Sequence, residues 1–310
     1  MRKVAITGAT GFIGSILANR LQATGWQARA LARSDRGASA LRLANAEVVR
    51  GSLADHDALA ALTRDADAVV HCAGAVRGVR YSDFEAVNVA GTQALLRSVQ
   101  RRDIPIVLLS SLAAREPQLS HYARSKRTME TLLEGADAPP NPWLVLRPPP
   151  VYGPGDRELL PLFQSMARGF APLPGDVRAR VSMLYVEDLA GAVVAWLAAP
   201  DAARGTFELH DGQPNGYSWD DVVTIAEELL GRRVRRLRLP KRPLNAFARG
   251  NAALARMLGY APMLTPGKLR ELRHANWVAD NQALCAAIPW QPRVRLRQGL
   301  QLTCGWSAAA

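Results

Sequence analysis

Residues 7–14 read TGATGFIG and directly follow the short apolar run at positions 4–6. Gly8, Gly11 and Gly14 give the spacing G-x-x-G-x-x-G where a predicted strand turns into a predicted helix. Glycine permits this tight turn and lets a pyrophosphate reach the N–H groups at the positive end of the helix. With a strand before it and an amphipathic helix after it, the stretch predicts a dinucleotide-binding loop.

The first 150 residues alternate between strand-like and helix-like patterns. Strands are predicted at 3–7, 27–32, 47–50, 67–72, 105–110 and 142–147, and helices at 11–24, from 55 onward, at 82–102 and at 120–134. Such alternation favours a parallel sheet covered by helices on both faces. We therefore predict an α/β fold built on a doubly wound parallel Rossmann sheet.

The segment 147–156, RPPPVYGPGD, marks a change of architecture, because four prolines and two glycines favour neither helix nor strand. Beyond it helices and short strands mix, and Thr265 and Pro266 predict the start of a helix over 267–275. We expect a dinucleotide-binding Rossmann domain of residues 1–150 plus about 180–200. Residues 151–179 and 201–310 are expected to form a smaller, interleaved α+β substrate-binding domain.

At 310 residues with 48% hydrophobic side chains, the chain can bury a sizeable core. Cys72, Cys285 and Cys304 lie far apart and outside metal-ligand spacings, so we expect reduced thiols, no disulfide framework and no metal. The N-terminus lacks the apolar stretch of a signal peptide, and the longest apolar run, 189–200, is about half of a bilayer span. The expectation is a cytoplasmic protein without a transmembrane helix.

The end of the second predicted strand bears on the choice of dinucleotide. An acid there accepts hydrogen bonds from the ribose 2′-OH of NAD, whereas the 2′-phosphate of NADP needs a cation. The strand ends at Ala32 and is followed by Arg33 and Arg36, while Asp35 is the one residue that favours NAD. We therefore favour NADP(H), with NAD(H) as the alternative.

HYARSK, at 121–126, places Tyr122 and Lys126 about one helical turn apart on the same face. A neighbouring ammonium favours a phenolate, so the pair is suited to general acid/base chemistry. LLSSLA, at 108–113, brings Ser110 and Ser111 to the carboxyl edge of the predicted sheet, where ligands bind in such folds. A hydroxyl there can donate a hydrogen bond to a substrate oxygen on which charge develops.

Further motifs follow in order: NVAGT at 88–92, LRPPPVYGPGD at 146–156, LYVEDLA at 184–190 and IPWQPRVRLRQGL at 288–300. Together they resemble the extended short-chain dehydrogenase/reductase family, which includes NAD-dependent epimerases and dehydratases, over nearly the whole chain. Nucleotide-sugar enzymes of that family commonly have an asparagine before V-Y-G that contacts the diphosphate, whereas here Arg147 is followed by three prolines. This form is more similar to the branch of 3β-hydroxysteroid dehydrogenase-like and dihydroflavonol reductase-like enzymes.

The resemblance implies roles for individual residues. Tyr122 would be the acid/base, and Lys126 would lower its pKa and hold the nicotinamide ribose. Ser111, rather than Ser110, would bind the substrate oxygen, and Asn88 would be structural or part of a proton relay. The implied cofactor contacts are Gly8, Thr10, Gly11, Phe12, Ile13, Gly14, Arg33, Arg36, Ser52, Leu53, Ala73, Tyr122, Lys126, Pro148 and Val151.

The sequence also departs from the family pattern in ways that bear on the ligands. Ser52 stands where the family often has an aspartate that contacts adenine. Only eleven residues separate Ser111 from Tyr122, which predicts a short loop and an open active-site mouth. Within 161–175, Phe163, Met166 and Phe170 are candidate substrate contacts beside Ser111, although helical periodicity equally favours a core position for Phe163 and Met166.

The net charge of +12 raises nucleic acid, an anionic membrane or an anionic cofactor as partners. The basic stretch 231–242, GRRVRRLRLPKR, is interpreted as a strand with one solvent-exposed face. The stretch 243–264 fits a helix packed on the substrate domain, which we favour, or a segment resting on the inner face of an anionic membrane. Nucleic acid is not the expected partner, and a homodimer through helices 82–102 and 120–134 is the family default.

The sequence thus predicts an NAD(P)-dependent oxidoreductase that interconverts a ketone and a secondary alcohol on a bulky hydrophobic substrate. A keto-lipid such as a ketoceramide, or a steroid-like compound, fits this description. One alternative is a nucleotide-sugar epimerase or dehydratase, which would retain NAD without net redox change. The other is a non-catalytic nucleotide- or RNA-binding relative.

Overall fold

The computed structural model describes residues 1–100, 103–134, 142–199 and 204–307. The first half contains the strands β1 (Arg2–Thr7), β2 (Trp26–Ala32), β3 (Glu47–Arg50), β4 (Ala68–His71), β5 (Ile106–Leu109) and β6 (Trp143–Arg147). Its helices are α1 (Phe12–Ala23), α2 (Asp35–Leu43), α3 (His56–Thr63), α4 (Tyr81–Phe84), α5 (Gly91–Val99) and α6 (His121–Glu134). A π-helical segment, Glu85–Ala90, joins α4 to α5, and a 3₁₀ helix, Leu112–Arg115, follows β5.

The second half contains shorter strands among helices. The strands are β7 (Val151–Tyr152), β8 (Phe170–Leu173), β9 (Arg180–Val181), β10 (Leu184–Tyr185), β11 (Gly205–Glu208), β12 (Tyr217–Ser218), β13 (Arg235–Arg238) and β14 (Asn276–Trp277). The helices are α7 (Leu160–Ala167), α8 (Val186–Ala198), α9 (Trp219–Leu230), α10 (Lys241–Leu258), α11 (Pro266–Arg273), α12 (Gln282–Ala287) and α13 (Leu296–Cys304).

Seven strands form one parallel sheet in the order β3-β2-β1-β4-β5-β6-β11. Val4 of β1 lies opposite Ala28 of β2 on one side and opposite Ala68 of β4 on the other. From β1 the chain adds β2 and β3 on one side of the sheet, and from β4 it adds the following strands on the other side. The loops after β1 and β4 therefore turn away from each other and leave a crevice at the carboxyl edge. The predicted doubly wound parallel sheet is confirmed.

Both faces of the sheet are covered. Every residue of β4 and β5 is buried, as expected for strands between two helical layers. One layer includes Leu17 of α1 and Trp196 of α8, and the other includes Leu95 of α5 and Met129 of α6. The rigid sheet edge between these layers is what positions the functional side chains.

The second half has its own core. Three small sheets, β7 with β10, β9 with β12 and β14, and β8 with β13, surround buried side chains that include Tyr152 and Val222. β13 falls within the basic stretch 231–242, with Val234 buried and Arg235 and Arg238 exposed. The predicted strand is therefore present, but Arg235 and Arg238 are three residues apart and lie on opposite faces, so its exposure is not confined to one face.

The structure corrects two predictions about elements in the first half. Helix α2 was not predicted, and it begins where the Ser34 hydroxyl accepts a hydrogen bond from the Gly37 N–H at 3.2 Å. The predicted helix 82–102 is interrupted by the π-helical segment, and its last two residues lie outside the described residues.

Two further corrections concern the join between the halves. β7 lies inside the proline-rich segment 147–156, because Val151 finds a partner in Leu184 of β10. β11 was assigned to the substrate side, but it forms the edge of the central sheet, with Thr206 opposite Val145 of β6. Apart from this strand, the predicted division into domains stays a prediction.

Candidate active site

The glycine loop after β1 is shaped by close backbone contacts. Gly8 has a φ of +73°, and a Cβ there would lie 2.5 Å from the Ala73 nitrogen in the loop after β4. A Cβ on Gly14 would overlap the Gly8 carbonyl. The Gly11 N–H donates to the same carbonyl at 2.9 Å. Glycine is therefore required where the two loops and α1 converge.

The start of α1 fits a dinucleotide pyrophosphate. Gly11 is the N-cap and offers no side chain to the helix, and the N–H groups of a first helical turn have no intrahelical partner. Thr10 is exposed, and Phe12 and Ile13 are half-buried. The residues present thus offer an open cluster of donors at the positive end of a helix dipole.

Arg33 and Arg36 lie where the sequence predicts the 2′-phosphate ligands. Arg33 follows the last residue of β2, Arg36 lies in the first turn of α2, and both are exposed. Arg50, at the end of the neighbouring β3, forms an ion pair with Asp35 at 3.2 Å. The carboxylate that favours NAD is therefore engaged by a cation that sequence reasoning missed.

The other cofactor candidates line the same sheet edge. The Ser52 hydroxyl accepts a hydrogen bond from the Ala54 N–H at 3.2 Å, and Leu53 packs against α5. Ala73 is half-buried beside Gly8. Pro148 is buried, and its carbonyl accepts from Leu112 at 2.9 Å, whereas Val151 is half-buried in β7.

Two adjacent serines leave the end of β5 with different partners. The buried Ser110 hydroxyl donates to Glu130 Oε1 at 2.6 Å. Ser111 is half-buried, caps the 3₁₀ helix by accepting from the Ala113 N–H at 3.2 Å, and lies near enough to Tyr122 for its hydroxyl to lower the pKa of the phenol. The structure therefore brings Ser111, and not Ser110, to the tyrosine.

Tyr122 lies in the first turn of α6 and is held as a neutral phenol. Burial raises its pKa above the ordinary value, while the nearby hydroxyl of Ser111 and the ammonium of Lys268 lower it in part. The carboxylates of Glu271 and Glu158, like burial, raise the pKa of Tyr122. A protonated phenol is a proton donor, which suits the reduction of a carbonyl.

Lys126 points toward the sheet. Its Nζ donates to the Leu109 carbonyl at 2.8 Å, and a Cβ on Gly74 would lie 3.2 Å from that Nζ. Burial lowers the pKa of Lys126 to about 8, although the Glu130 carboxylate opposes the shift. In this structure Lys268 supplies the charge that lowers the pKa of Tyr122, and the corresponding role of Lys126 stays a prediction.

Lys268 and Glu271 were missed by sequence reasoning. Lys268 forms an ion pair with Glu271 at 3.1 Å on α11. Burial acts against the Lys268 charge, but Glu271 and Tyr122 hold its pKa above the usual value. Ser120 donates a hydrogen bond to Glu271 and accepts one from the Ala123 N–H, so α11 is tied to the start of α6.

Asn88 fixes the loop after β4 to α6. Its side chain donates to the Ala75 carbonyl at 3.0 Å and to Ser125 at 2.9 Å, and it accepts from the Ala75 N–H at 2.7 Å. Ser125 in turn donates to the Tyr122 carbonyl at 2.8 Å. These bonds give Asn88 the structural role that was one of its two expected roles.

An open cleft of about 260 Å³ lies beside Tyr122. Its walls are the loop 76–79, the start of α6, α10 and α11, with apolar residues that include Val76, Phe84 and Met263. Basic residues share the wall, namely Arg77, Arg249, Arg256, Lys268 and Arg270. A molecule that has both apolar and anionic groups fits this lining.

The substrate candidates within 161–175 do not reach this cleft. Phe163 and Met166 are fully buried in the second core, where Phe163 packs against Tyr152 and Trp306, which corrects their predicted substrate role. Phe170, at the start of β8, is exposed and lies outside the residues that line the cleft. Of the two positions that the sequence left open for Phe163 and Met166, the structure shows the core position that helical periodicity favours.

Neither a metal-binding cluster nor a membrane-spanning helix is found in the described part of the chain. In residues 1–100, 103–134, 142–199 and 204–307, no three His, Cys, Asp or Glu side chains are placed to hold a metal ion. Over the same ranges, no helix has the length and apolar character needed to cross a membrane.

Comparison with known proteins identifies the family. Residues 4–209 match the NAD dependent epimerase/dehydratase family. The chain belongs to this family. Among its relatives, ceramide reductase of Caulobacter vibrioides is 36% identical over 307 residues, which cover 99% of this chain and 95% of the relative. The 2-alkyl-3-oxoalkanoate reductase of Stenotrophomonas maltophilia is 28% identical over 238 residues, covering 68% and 71%.

The epimerase/dehydratase fold is also found in solved structures. UDP-glucuronic acid 4-epimerase from Bacillus cereus, in complex with UDP-glucuronic acid and NAD, superposes with a TM-score of 0.76 at 20% identity over 97% of both chains. At this identity the likeness concerns the fold. The family match and the related reductases make this chain an NAD(P)-dependent oxidoreductase, as the sequence predicted.

Proposed function

We propose that the protein reduces a ketone to a secondary alcohol on a long-chain keto-lipid, with NADPH as the preferred reductant. The observation that carries this proposal is the neutral Tyr122 phenol, with Ser111 close to it, at the wall of a partly apolar cleft. The similarity to ceramide reductase supports a keto-lipid of the ketoceramide kind over a steroid-like compound.

The reaction needs a hydride for the carbonyl carbon and a proton for the carbonyl oxygen. The nicotinamide, when bound, supplies the hydride. Ser111 donates a hydrogen bond to the carbonyl oxygen as negative charge develops on it, and Tyr122 delivers its phenolic proton to the same oxygen. The resulting phenolate is stabilised by the Lys268 ammonium and regains a proton from solvent.

The cofactor contacts follow from the crevice between β1 and β4. The glycine loop and the start of α1 would hold the pyrophosphate, and Arg33 and Arg36 the 2′-phosphate. Ser52 and Leu53 would face the adenine end. Lys126, Ala73, Pro148 and Val151 would surround the nicotinamide ribose and ring, and the hydride would then lie beside Tyr122.

Replacement of the proton donor tests the proposal. We expect Tyr122→Phe to abolish NADPH-dependent reduction of a 3-oxo-ceramide in detergent, because the phenyl ring fills the same space without a proton. NADPH binding, followed by fluorescence titration, should stay close to that of the wild type. Substantial residual turnover in this variant would overturn the assignment.

The nucleotide released on denaturing the purified protein separates the alternatives. Tightly retained NAD would favour an epimerase or dehydratase, although the three prolines after Arg147 leave no asparagine side chain for a diphosphate. A salt-sensitive complex with RNA would favour the non-catalytic reading. Dimerisation through the helices of 82–102 and 120–134 stays a prediction, and sedimentation analysis tests it.

A further inference from the structure

We propose that α10 and the loop after it dock the enzyme onto an anionic lipid bilayer. The proposed docking surface is the solvent-exposed face of α10, with exposed apolar residues along one edge and arginines along the other. The part of the proposal that assigns a purpose to docking, namely uptake of a lipid through the cleft beside Tyr122, rests on the proposed function.

The helix α10 packs inward through small residues and leaves large ones outside. Ala248, Ala252 and Ala255 are its buried residues, whereas Phe247 and Leu254 are 62% and 49% exposed. Leu258, with 67% exposed, continues the same stripe at helical spacing, and Met257 and Met263 are exposed beside it. An amphipathic helix on a globular protein ordinarily buries its largest apolar residues, so this arrangement marks an interaction surface.

Positive charge is concentrated at the same place. Arg242, Arg249 and Arg256 recur at seven-residue intervals, which places them in one row along α10. At 100° per residue, this row and the apolar stripe lie along opposite edges of the solvent-exposed face of the helix. The helix α10 itself carries Lys241, Arg242, Arg249 and Arg256 and no acidic residue. Such a surface is complementary to acidic lipid headgroups, with the apolar side chains inserted among acyl chains.

The docking surface borders the mouth of the active-site cleft. Arg249, Ala252 and Arg256 of α10 line the cleft that contains Tyr122, and so does Met263 of the following loop. A lipid that leaves the bilayer at α10 would therefore reach the cleft without passing through bulk water.

Specific hydrogen bonds hold α10 in this position. Arg273 of α11 donates to Asn245 at 2.7 Å, and Asn251 donates to the Leu264 carbonyl at 3.1 Å. Tyr260 in the loop also hydrogen-bonds to Asn251. Because α11 carries Lys268, docking through α10 would orient the active site relative to the bilayer.

Flotation of the full-length protein with vesicles tests the docking surface. We expect binding to vesicles of phosphatidylcholine mixed with phosphatidylglycerol, weaker binding at high salt, and little binding to phosphatidylcholine alone. The double variant F247S/L254S should bind the anionic vesicles at least about tenfold more weakly, because two inserted apolar side chains are lost. Neither residue lines the cleft, so reduction of a short-chain ketone in solution should be unchanged.

The matched control is Leu302→Ser, which removes a 52% exposed leucine from α13. Equal vesicle binding by F247S/L254S and by the wild type would overturn the proposal, as would a loss of binding in L302S of the same size. A change from dimer to monomer in F247S/L254S, seen by sedimentation, with vesicle binding intact would assign the stripe to a second copy of the chain.

The test also separates docking from the proposed function. Vesicle binding needs no turnover, so binding without reduction of any keto-lipid would leave docking standing and remove the proposed function. Reduction of a keto-lipid in detergent by a protein that binds no anionic vesicle would remove docking alone.

Discussion

At the scale of single residues, Ser110 and Ser111 divide two tasks between them. Ser111 lies close to Tyr122 and lowers its pKa, so Ser111→Ala should lower kcat by about a hundredfold, as expected when one donor to a developing oxyanion is lost. Ser110 donates to the buried Glu130, so Ser110→Ala should leave kcat near the wild-type value and cost about 1–2 kcal/mol of unfolding free energy. Steady-state kinetics and urea denaturation of both variants check this, and a slow but fully stable S110A enzyme would contradict it.

Lys268 should set the pH dependence of the reverse reaction. Oxidation of the alcohol needs Tyr122 as a phenolate, so its rate rises with pH through the pKa of that residue. Lys268 lowers this pKa and Glu271 raises it, so Lys268→Met should shift the alkaline limb of kcat to higher pH. The pH profile of kcat measures the shift. Lys268→Arg keeps the charge and should restore the wild-type limb, and identical limbs in K268M and the wild type would exclude the interaction.

Local spacing revealed Tyr122 and Ser111, but it could not reveal Lys268. The tyrosine and the serine lie at the end of a strand and the start of the next helix, where parallel folds place their ligands. Lys268 reaches the site only because α11 docks on α6, through the hydrogen bond between Ser120 and Glu271 and a bond from Arg270 to the Leu119 carbonyl at 2.7 Å. Partners so distant in sequence carry no periodic signal.

At the scale of elements, His71 joins β1, β4 and α5. Its ring accepts from Thr7 at 2.6 Å and donates to Thr92 at 2.9 Å, because the Thr92 hydroxyl is committed to the Asn88 carbonyl. Burial, with the charge of Lys126, lowers the pKa of His71 to about 3. The imidazole therefore stays neutral in the folded protein at any pH at which the enzyme is assayed.

This neutral histidine should make the protein sensitive to acid. Between pH 6.5 and about 3 the unfolded chain takes up a proton at His71 and the folded chain does not, so the unfolding free energy falls as pH falls, by at most about 1.4 kcal/mol per pH unit. Urea denaturation at pH 7 and pH 5.5 measures the loss. His71→Asn should be less stable at pH 7 but lose less on acidification, and equal losses in both proteins would refute the assignment.

Elements were predictable where burial acts locally. β1, β4 and β5 are short, largely apolar runs whose two faces are covered by the helical layers, so their pattern is visible in the sequence. β7 is only two residues long and exists because β10 lies beside it, and the π-helical segment contains Asn88, whose bonds reach Ala75 and Ser125. Tertiary partners decide both of these elements, which is why the sequence pattern missed them.

At the scale of the whole molecule, charge and chemistry are unevenly distributed. The stretch 229–270 contains eleven Lys and Arg residues, of which Arg249, Arg256, Lys268 and Arg270 line the cleft beside Tyr122. The dinucleotide crevice is built by the opposite end of the chain, with Arg33 and Arg36 as its exposed cations. The total charge of +12 could be counted from the sequence, but only the fold shows which of these cations border the cleft beside Tyr122.

The separation of the two sites predicts how cofactors stabilise the protein. A ligand at a hundred times its Kd adds about 2.7 kcal/mol to the unfolding free energy, which corresponds to a rise in Tm of about 5 °C for a chain of this size. If Arg33 and Arg36 bind the 2′-phosphate, NADPH should raise Tm more than NADH at the same concentration.

The double variant R33A/R36A should lose this difference, because both nucleotides then meet the same glycine loop. The control variant Arg20→Ala, at the far end of α1, should keep the difference. Thermal unfolding followed by circular dichroism measures the shifts. Equal shifts with NADH and NADPH in the wild type would show that these arginines do not select the phosphate, and that NAD serves the Tyr122 chemistry as well as NADP.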